Sequence, residues 1–196
     1  MIIKKNDSSS EAKTAEVLKQ GGIVIIPTDT VYGFSGIVNG NFKTDDKIRA
    51  IKGRSESKPL IQLIAKPEDL FLYTDDRVPD ALLSKWPGAL TIIVNLKKEF
   101  AEEQKLSTVA FRCPGDSWLR KIIEECGGPI YSTSVNRSGK LVLDEISLIK
   151  KEFDSDVDLI IDDGDKKGAL PSTLVCMENG KIKVLRQGTV VIGQEN

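Results

Sequence analysis

Three cations lie close together at Lys52, Arg54 and Lys58, within the segment Lys52-Gly53-Arg54-Ser55-Glu56-Ser57-Lys58-Pro59-Leu60. Positive charge at this density suits a polyphosphate, and Gly53 lets a ligand approach the backbone closely. A solvated helix end, where the helix dipole favours cations, explains the same residues equally well. The chain has no G-x-x-x-x-G-K-[ST] motif, so the segment is not a P-loop.

Hydroxyl groups follow a short apolar strand in the segment Pro27-Thr28-Asp29-Thr30-Val31-Tyr32-Gly33. The side chains of Thr28, Thr30 and Tyr32 could bind a small polar ligand at the end of that strand. Taken alone, the pattern is more typical of an ordinary capped loop.

A second group of polar residues lies at the ends of later apolar runs. Arg112 ends the run that starts at Thr108, and a buried arginine there needs either a carboxylate ligand or a structural Asp or Glu partner. The loop Ser132-Thr133-Ser134-Val135-Asn136-Arg137-Ser138-Gly139 is rich in donors and could hold phosphate, or be a plain polar turn. Ser172 and Arg186 lie at two further strand ends.

Composition excludes several kinds of chemistry. The 196-residue chain contains no histidine, which rules out Ser-His-Asp and Cys-His triads and imidazole-ligated zinc. Its three cysteines are scattered, which argues against a disulfide framework and favours a reducing cytoplasm. The acidic run from Asp162 to Asp165 lacks the full calcium-loop pattern and is interpreted as a solvated turn, so no metal ligands are assigned.

Hydrophobic periodicity predicts a mixed α/β architecture around one sheet in a single domain spanning residues 1–196. No apolar run is long enough to cross a membrane, and the N-terminus has no secretory pattern. We expect helix caps at Ser8 or Ser9 and at Thr44. The predicted helices are Ser8–Gly21, Thr44–Lys52, Pro67–Tyr73, Pro79–Trp86, Ser117–Glu125 and Ser147–Phe153; the predicted strands are Ile23–Ile26, Leu60–Ala65, Leu90–Leu96, Thr108–Phe111, Gly128–Ser132, Val157–Ile161, Thr173–Cys176 and Ile182–Leu185.

Taken in order, seven segments resemble the YrdC family of threonylcarbamoyl-AMP synthases: PTDTVYG, KGRSESKPL, WPGALT, TVAFRCP, STSVNRSG, PSTL and LRQG. The resemblance spans Pro27 to Gly188 and is closest to the short, single-domain form. It implies a YrdC-like twisted mixed sheet flanked by helices around a basic cavity. It also implies a cytoplasmic nucleotidyltransferase that condenses L-threonine, bicarbonate and ATP, with Mg²⁺ on the phosphates, for N6-threonylcarbamoyladenosine formation in tRNA.

The resemblance also implies roles for individual residues. Lys52, Arg54 and Lys58 match the phosphate contacts and are the expected catalytic residues. The expected ATP contacts are these three together with Thr108, Ser134, Asn136 and Arg186. The expected threonine contacts are Thr28, Thr30, Tyr32, Arg112, Ser132 and Ser172, with Arg112 on the carboxylate.

Two departures from the family pattern keep other functions open. Some members have a histidine where this chain has Leu63, and the usual SAN triplet is Ser134-Val135-Asn136. The alternatives are a paralogue that forms a carbamoyl-adenylate from another substrate, and a protein that binds double-stranded RNA or tRNA. For the synthase itself, the expected partner is a transferase complex that receives the product.

Overall fold

The computed structural model describes residues 1–53 and 59–193. The strands are β1 (Ile2–Lys4), β2 (Val24–Ile26), β3 (Gly33–Ile37), β4 (Ile61–Leu63), β5 (Leu90–Asn95), β6 (Thr108–Arg112), β7 (Ile130–Ser134), β8 (Leu159–Asp162), β9 (Thr173–Glu178) and β10 (Lys181–Arg186). The helices are α1 (Ser10–Lys19), α2 (Thr44–Lys52), α3 (Leu70–Tyr73), α4 (Asp80–Leu83), α5 (Lys98–Gln104), α6 (Ser117–Cys126) and α7 (Ile146–Phe153), and a 3-10 turn, Pro67–Asp69, precedes α3.

Within the described residues the strands form one mixed sheet in the order β1-β8-β2-β3-β7-β4-β6-β5-β9-β10. The parallel pairs are β1–β8, β2–β8, β4–β6 and β5–β9, and the other neighbours are antiparallel. The predicted fold class, a twisted mixed sheet flanked by helices, is confirmed.

The strand residues alternate between the two faces of the sheet. On β6, Val109 and Phe111 pack into an apolar core, while Ala110 and Arg112 point to the opposite face. That opposite face is covered beside β2 and β8 by α1 and α6, through residues such as Leu18 and Ile122. Beyond these two helices the same face borders a cavity, and Ile61 lies at the boundary because it contacts both.

All the predicted helices and strands overlap elements of the structure. Ser9 lies at the predicted N-cap position of α1 but makes no capping bond, and the predicted cap at Thr44 is wrong. Ser9 has helical dihedrals, and its hydroxyl donates to Asp7 Oδ1 at 2.7 Å. Thr44 is already inside α2, and its hydroxyl donates to the carbonyl of Ile37 at 2.5 Å. Both hydroxyls are therefore used to hold the chain before the helix rather than to cap it.

Three elements were not predicted. β1 is a three-residue edge strand, β3 has the weakly apolar sequence GFSGI, and α5 has the mostly polar sequence KEFAEEQ. Each lacks a clear apolar period, so its conformation depends on its neighbours in the fold. No helix in the described part of the chain is long and apolar enough to span a membrane.

Asp162 corrects the interpretation of the acidic run as a solvated turn. This residue ends β8 and its side chain is only 2% exposed, within 2.6 Å of Lys150 Nζ and 2.9 Å of Lys4 Nζ. Burial opposes ionisation, but the bonds from Lys150, Lys4 and the Gly164 amide outweigh burial and hold the pKa of Asp162 below its ordinary value. The carboxylate thus fastens β1 and α7 to the end of β8.

Replacing Asp162 with asparagine should lower the free energy of unfolding at pH 7 by about 1.5–3 kcal/mol, because a hydrogen-bonded charge is lost. Since the folded-state pKa is depressed, the wild-type advantage should be complete above the unfolded-state pKa and shrink as the pH falls below it. Urea unfolding between pH 7 and pH 3 measures both effects. Asp154→Asn, at an exposed carboxylate, is the control, and an equal loss in both variants would contradict the assignment.

Candidate functional site

A cavity of about 550 Å³ lies on the face of the sheet that carries Ala110 and Arg112. All six residues predicted for the amino acid line it, and so do three of those predicted for ATP. The nine are Thr28, Thr30, Tyr32, Thr108, Arg112, Ser132, Ser134, Ser172 and Arg186. Of the remaining predicted site residues, Lys52 and Asn136 lie behind the wall of the cavity, and Arg54 and Lys58 fall outside the described residues.

Alternation along adjacent strands brings these side chains together. Thr108, Ala110 and Arg112 are alternate residues of β6, and Ser132 and Ser134 are alternate residues of β7. Gly33 pairs with Ser134 in the sheet, and a β-carbon at Gly33 would lie 2.8 Å from Ser132 Oγ. The glycine therefore leaves room for the Ser132 hydroxyl at the base of the cavity.

Arg112 is 5% exposed and is held by three contacts. Its Nε donates to the carbonyl of Gly88 at 3.0 Å, Nη1 to Thr30 Oγ1 at 2.8 Å and Nη2 to Asp29 Oδ1 at 2.5 Å. A guanidinium has five N–H donors, so two remain without a hydrogen bond to the described part of the chain. Of the two alternatives for Arg112, the structure shows the Asp partner, while the carboxylate ligand stays a prediction for which two N–H groups remain.

The hydroxyls of Thr28 and Thr30 differ in what they can offer a ligand. Thr28 Oγ1 donates to the carbonyl of Val31 at 2.8 Å, accepts from the Thr30 amide at 3.0 Å and lies 2.9 Å from Thr30 Oγ1. Since Thr28 has already donated its proton, Thr30 must donate to Thr28, while it accepts from Arg112. Thr28 is saturated, whereas Thr30 keeps one lone pair and can accept a hydrogen bond from a ligand N–H.

The hydroxyl of Tyr32 is hydrogen-bonded to the backbone, and its predicted contact to threonine stays a prediction. It donates to the carbonyl of Gly164 at 2.7 Å and accepts from the amide of Asp163 at 2.9 Å, and the residue is fully buried. Burial raises the pKa of Tyr32 to about 12, so the phenol stays neutral. Tyr32 lines the cavity, but its hydroxyl anchors the segment after β8.

Arg186 brings a second guanidinium to the cavity. Its Nη2 donates to the carbonyl of Ser172 at 2.9 Å and to its hydroxyl at 3.2 Å, and that hydroxyl lies 2.6 Å from Thr91 Oγ1. No carboxylate in the described chain lies within ion-pair distance of Arg186. Burial and then the nearby Arg112 guanidinium lower the pKa of Arg186. Two neighbouring guanidiniums, of which only Arg112 has a carboxylate partner among the described residues, make this region attractive to an anion.

Lys52 and Asn136 shape the loop that follows β7. The buried ammonium of Lys52 donates to the carbonyls of Ser134 and Asn136 and to Asn136 Oδ1. The Asn136 amide donates in turn to the carbonyls of Arg137 and Lys140. These two residues thus hold the backbone beside Ser134 in place, and the direct ATP contact predicted for them stays a prediction.

Sequence reasoning missed Asp29, Gly88 and Thr91. Asp29 lies inside the PTDTVYG segment, and its acidic side chain between two threonines was the available signal for a partner to a buried arginine. Gly88 and Thr91 contribute a carbonyl and a hydroxyl whose use depends on strand packing. Among the described residues no cluster of three or more His, Cys, Asp or Glu side chains could hold a metal ion.

Replacing Lys52 with methionine should lower the free energy of unfolding by about 2–4 kcal/mol, because buried carbonyls lose a charged donor. Lys47→Met is the matched control on the same helix, since Lys47 donates to a single carbonyl, that of Gly21. Urea unfolding at pH 7 measures both variants. A Lys52→Met protein as stable as the Lys47→Met protein would contradict a role in holding the loop.

Two curated relatives match most of this chain. A threonylcarbamoyl-AMP synthase of Pseudoalteromonas translucida (strain TAC 125) is 29% identical over 90% of this chain and 98% of its own length. A putative threonylcarbamoyl-AMP synthase of Methanocaldococcus jannaschii is 32% identical over 92% of this chain and 88% of its own length.

A solved structure has a similar fold. The crystal structure of P. abyssi Sua5 complexed with L-threonine matches 95% of this chain with a TM-score of 0.82 and 29% identity; the chain spans 57% of that protein. The model of the Sua5/YciO/YrdC family, described as "Telomere recombination", matches residues 16–188. Because this match covers most of its length, the chain belongs to the Sua5/YciO/YrdC family.

Proposed function

We propose that this protein is an L-threonylcarbamoyladenylate synthase, a nucleotidyltransferase that converts L-threonine, bicarbonate and ATP into threonylcarbamoyl-AMP and pyrophosphate. The product would serve the formation of N6-threonylcarbamoyladenosine at position 37 of tRNA. Relatives in bacteria, archaea and mammals have the name of this enzyme, and the threonine-bound Sua5 structure shares the fold.

The observation that carries the proposal is the pair of guanidiniums, Arg112 and Arg186, that border one cavity with a single carboxylate partner, Asp29, among the described residues. These three side chains together have a net positive charge before a ligand enters. A reaction that brings a carboxylate, a carbamate and a triphosphate together needs such an excess, because like charges must be held close.

Arg112 is the proposed ligand of the threonine carboxylate. Three hydrogen bonds fix its guanidinium and leave two N–H groups for a ligand, which suits a planar, two-oxygen acceptor. The open lone pair of Thr30 lies beside it and can accept from the amino or carbamate N–H. Ser132 and Ser172 remain proposed contacts to the same substrate.

The chemistry requires positioning rather than a protein nucleophile. The amine of threonine adds to bicarbonate with loss of water to give a carbamate. A carbamate oxygen then attacks the α-phosphate of ATP, the new P–O bond forms and pyrophosphate leaves. Arg186, together with Arg54 and Lys58 outside the described residues, would neutralise charge on the phosphates. Thr108 and Ser134 would contact the nucleotide, while Lys52 and Asn136 would position the loop that carries Ser134.

Mg²⁺ is proposed to enter bound to the triphosphate. The described chain offers no carboxylate cluster that would hold the ion by itself. Mg²⁺ commonly keeps several waters and binds through substrate phosphates, so this donor set fits a metal that arrives with ATP. The bound ion would reduce the charge on the phosphates.

The direct experiment incubates the purified protein with ATP, Mg²⁺, L-threonine and bicarbonate and measures pyrophosphate release. Release that depends on both threonine and bicarbonate supports the proposal, and release with neither dependence would overturn it. Thermal shifts with ATP, threonine, serine and RNA test the alternatives. An RNA-binding protein predicts a response to RNA that weakens steeply with salt, and a paralogue predicts an ATP response without a threonine response. Hand-over of the product to a transferase complex would follow as a later step.

Replacing Arg186 with glutamine should lower turnover on the order of a hundredfold, since one charged donor to the reacting phosphates is lost. The fold should be retained, because the side chain donates hydrogen bonds only to Ser172 within the described residues. Lys183→Gln is the control on the same strand, where the lysine pairs with Glu178 on the surface. Full activity of Arg186→Gln would exclude the proposed phosphate contact.

A further inference from the structure

We propose that Asp29 is a positioning residue that fixes the guanidinium of Arg112 so that its free N–H groups face the substrate carboxylate. The inference rests on the proposed function, because it assigns a cause to threonine binding at Arg112. Asp29 is not among the residues that line the cavity, so it would act through Arg112 rather than by touching the ligand.

The two oxygens of Asp29 have separate partners. Oδ1 lies 2.5 Å from Arg112 Nη2, and Oδ2 accepts from the backbone amide of Gly115 at 3.0 Å. The Gly115 amide belongs to the turn between β6 and α6, so the carboxylate is fixed by backbone on one side and orients the arginine on the other. Its side chain is 22% exposed and the residue borders solvent, so these two hydrogen bonds, rather than burial, hold the carboxylate.

The packing around Asp29 is tight. A β-carbon at Gly115 would lie 2.9 Å from Asp29 Oδ2 and 3.6 Å from the α-carbon of Gly88. Gly88 also supplies the carbonyl that accepts from Arg112 Nε. The absence of a side chain at Gly115 therefore lets the Asp29 carboxylate lie against the backbone next to the carbonyl that holds Arg112.

This arrangement matters for binding because an arginine side chain has many rotamers. Holding three of its N–H groups before the ligand arrives removes most of the ordering cost from the binding step. Gly88 and Thr30 use a carbonyl and a hydroxyl for this purpose, and Asp29 adds the charged contact, which is the strongest of the three kinds.

A positioning role and a charge-neutralising role for Asp29 predict opposite effects of its removal on ligand affinity. If the carboxylate acted only by neutralising charge, its removal would leave two unopposed guanidiniums and strengthen the binding of any anion. If Asp29 positions Arg112, its removal should weaken the binding of a ligand whose carboxylate needs the oriented N–H groups of Arg112. The sign of the change in affinity separates the two roles.

The test compares L-threonine with L-threoninamide, which lacks the carboxylate charge, by isothermal titration calorimetry. For Asp29→Ala we expect the dissociation constant for threonine to rise about tenfold or more, and that for threoninamide to change by less than about twofold. Asp29→Asn, which keeps one acceptor oxygen, should fall between wild type and Asp29→Ala. Asp45→Ala, which removes the surface partner of Arg49, is the control and should leave both constants unchanged.

Equal weakening of both ligands by Asp29→Ala would show a general structural role and overturn the inference, as would unchanged or tighter threonine binding. Gly115→Ala supplies an independent variant, because it displaces the carboxylate without altering either charged residue; it should reproduce the selective loss. Urea unfolding of each variant verifies that the fold persists. Wild-type protein that fails to bind threonine would instead overturn the proposed function together with the inference.

Discussion

The arrangement of the site depends on one buried guanidinium, that of Arg112, on the face of the sheet that borders the cavity. Arg112 ends β6 with 5% exposure, so its charge and its donors must be matched inside the protein. Asp29, Thr30 and Gly88 supply that match from two different loops. The requirement brings the segment after β2 and the segment before β5 to the same end of β6, and the cavity lies beside the point where they meet.

Local patterns predicted much of the fold but not its connections. Apolar runs such as Val24–Ile26 and Leu90–Asn95 are recognisable because burial on both faces of a sheet leaves little polar alternation. β3 was missed because its sequence, GFSGI, carries two glycines and a serine, and it becomes a strand only between β2 and β7. The strand order depends on contacts between distant segments, which no local period encodes.

For the site, too, the sequence predicted which residues take part but not how their polar atoms are used. Motif resemblance identified nine residues that the structure brings to one cavity, but it could not say which polar atoms remain available. The hydroxyl of Thr28 is saturated by two backbone groups and the Thr30 hydroxyl, and that of Tyr32 bonds to the backbone, whereas Thr30 keeps an acceptor. Availability is decided by the geometry of neighbours on other strands, and Asp29 was overlooked because its importance arises only through Arg112.

The two arginines differ in their ionic partners, and this difference supports an anionic ligand. Arg112 has a carboxylate partner and is held rigidly, while Arg186, bonded to the neutral Ser172, has no carboxylate in the described chain within ion-pair distance. A fold selected for stability alone would gain by pairing both, since the second guanidinium raises the electrostatic energy of the first. The unmatched charge is explained if the missing partner is the substrate, whose negative groups complete the site only while they are bound.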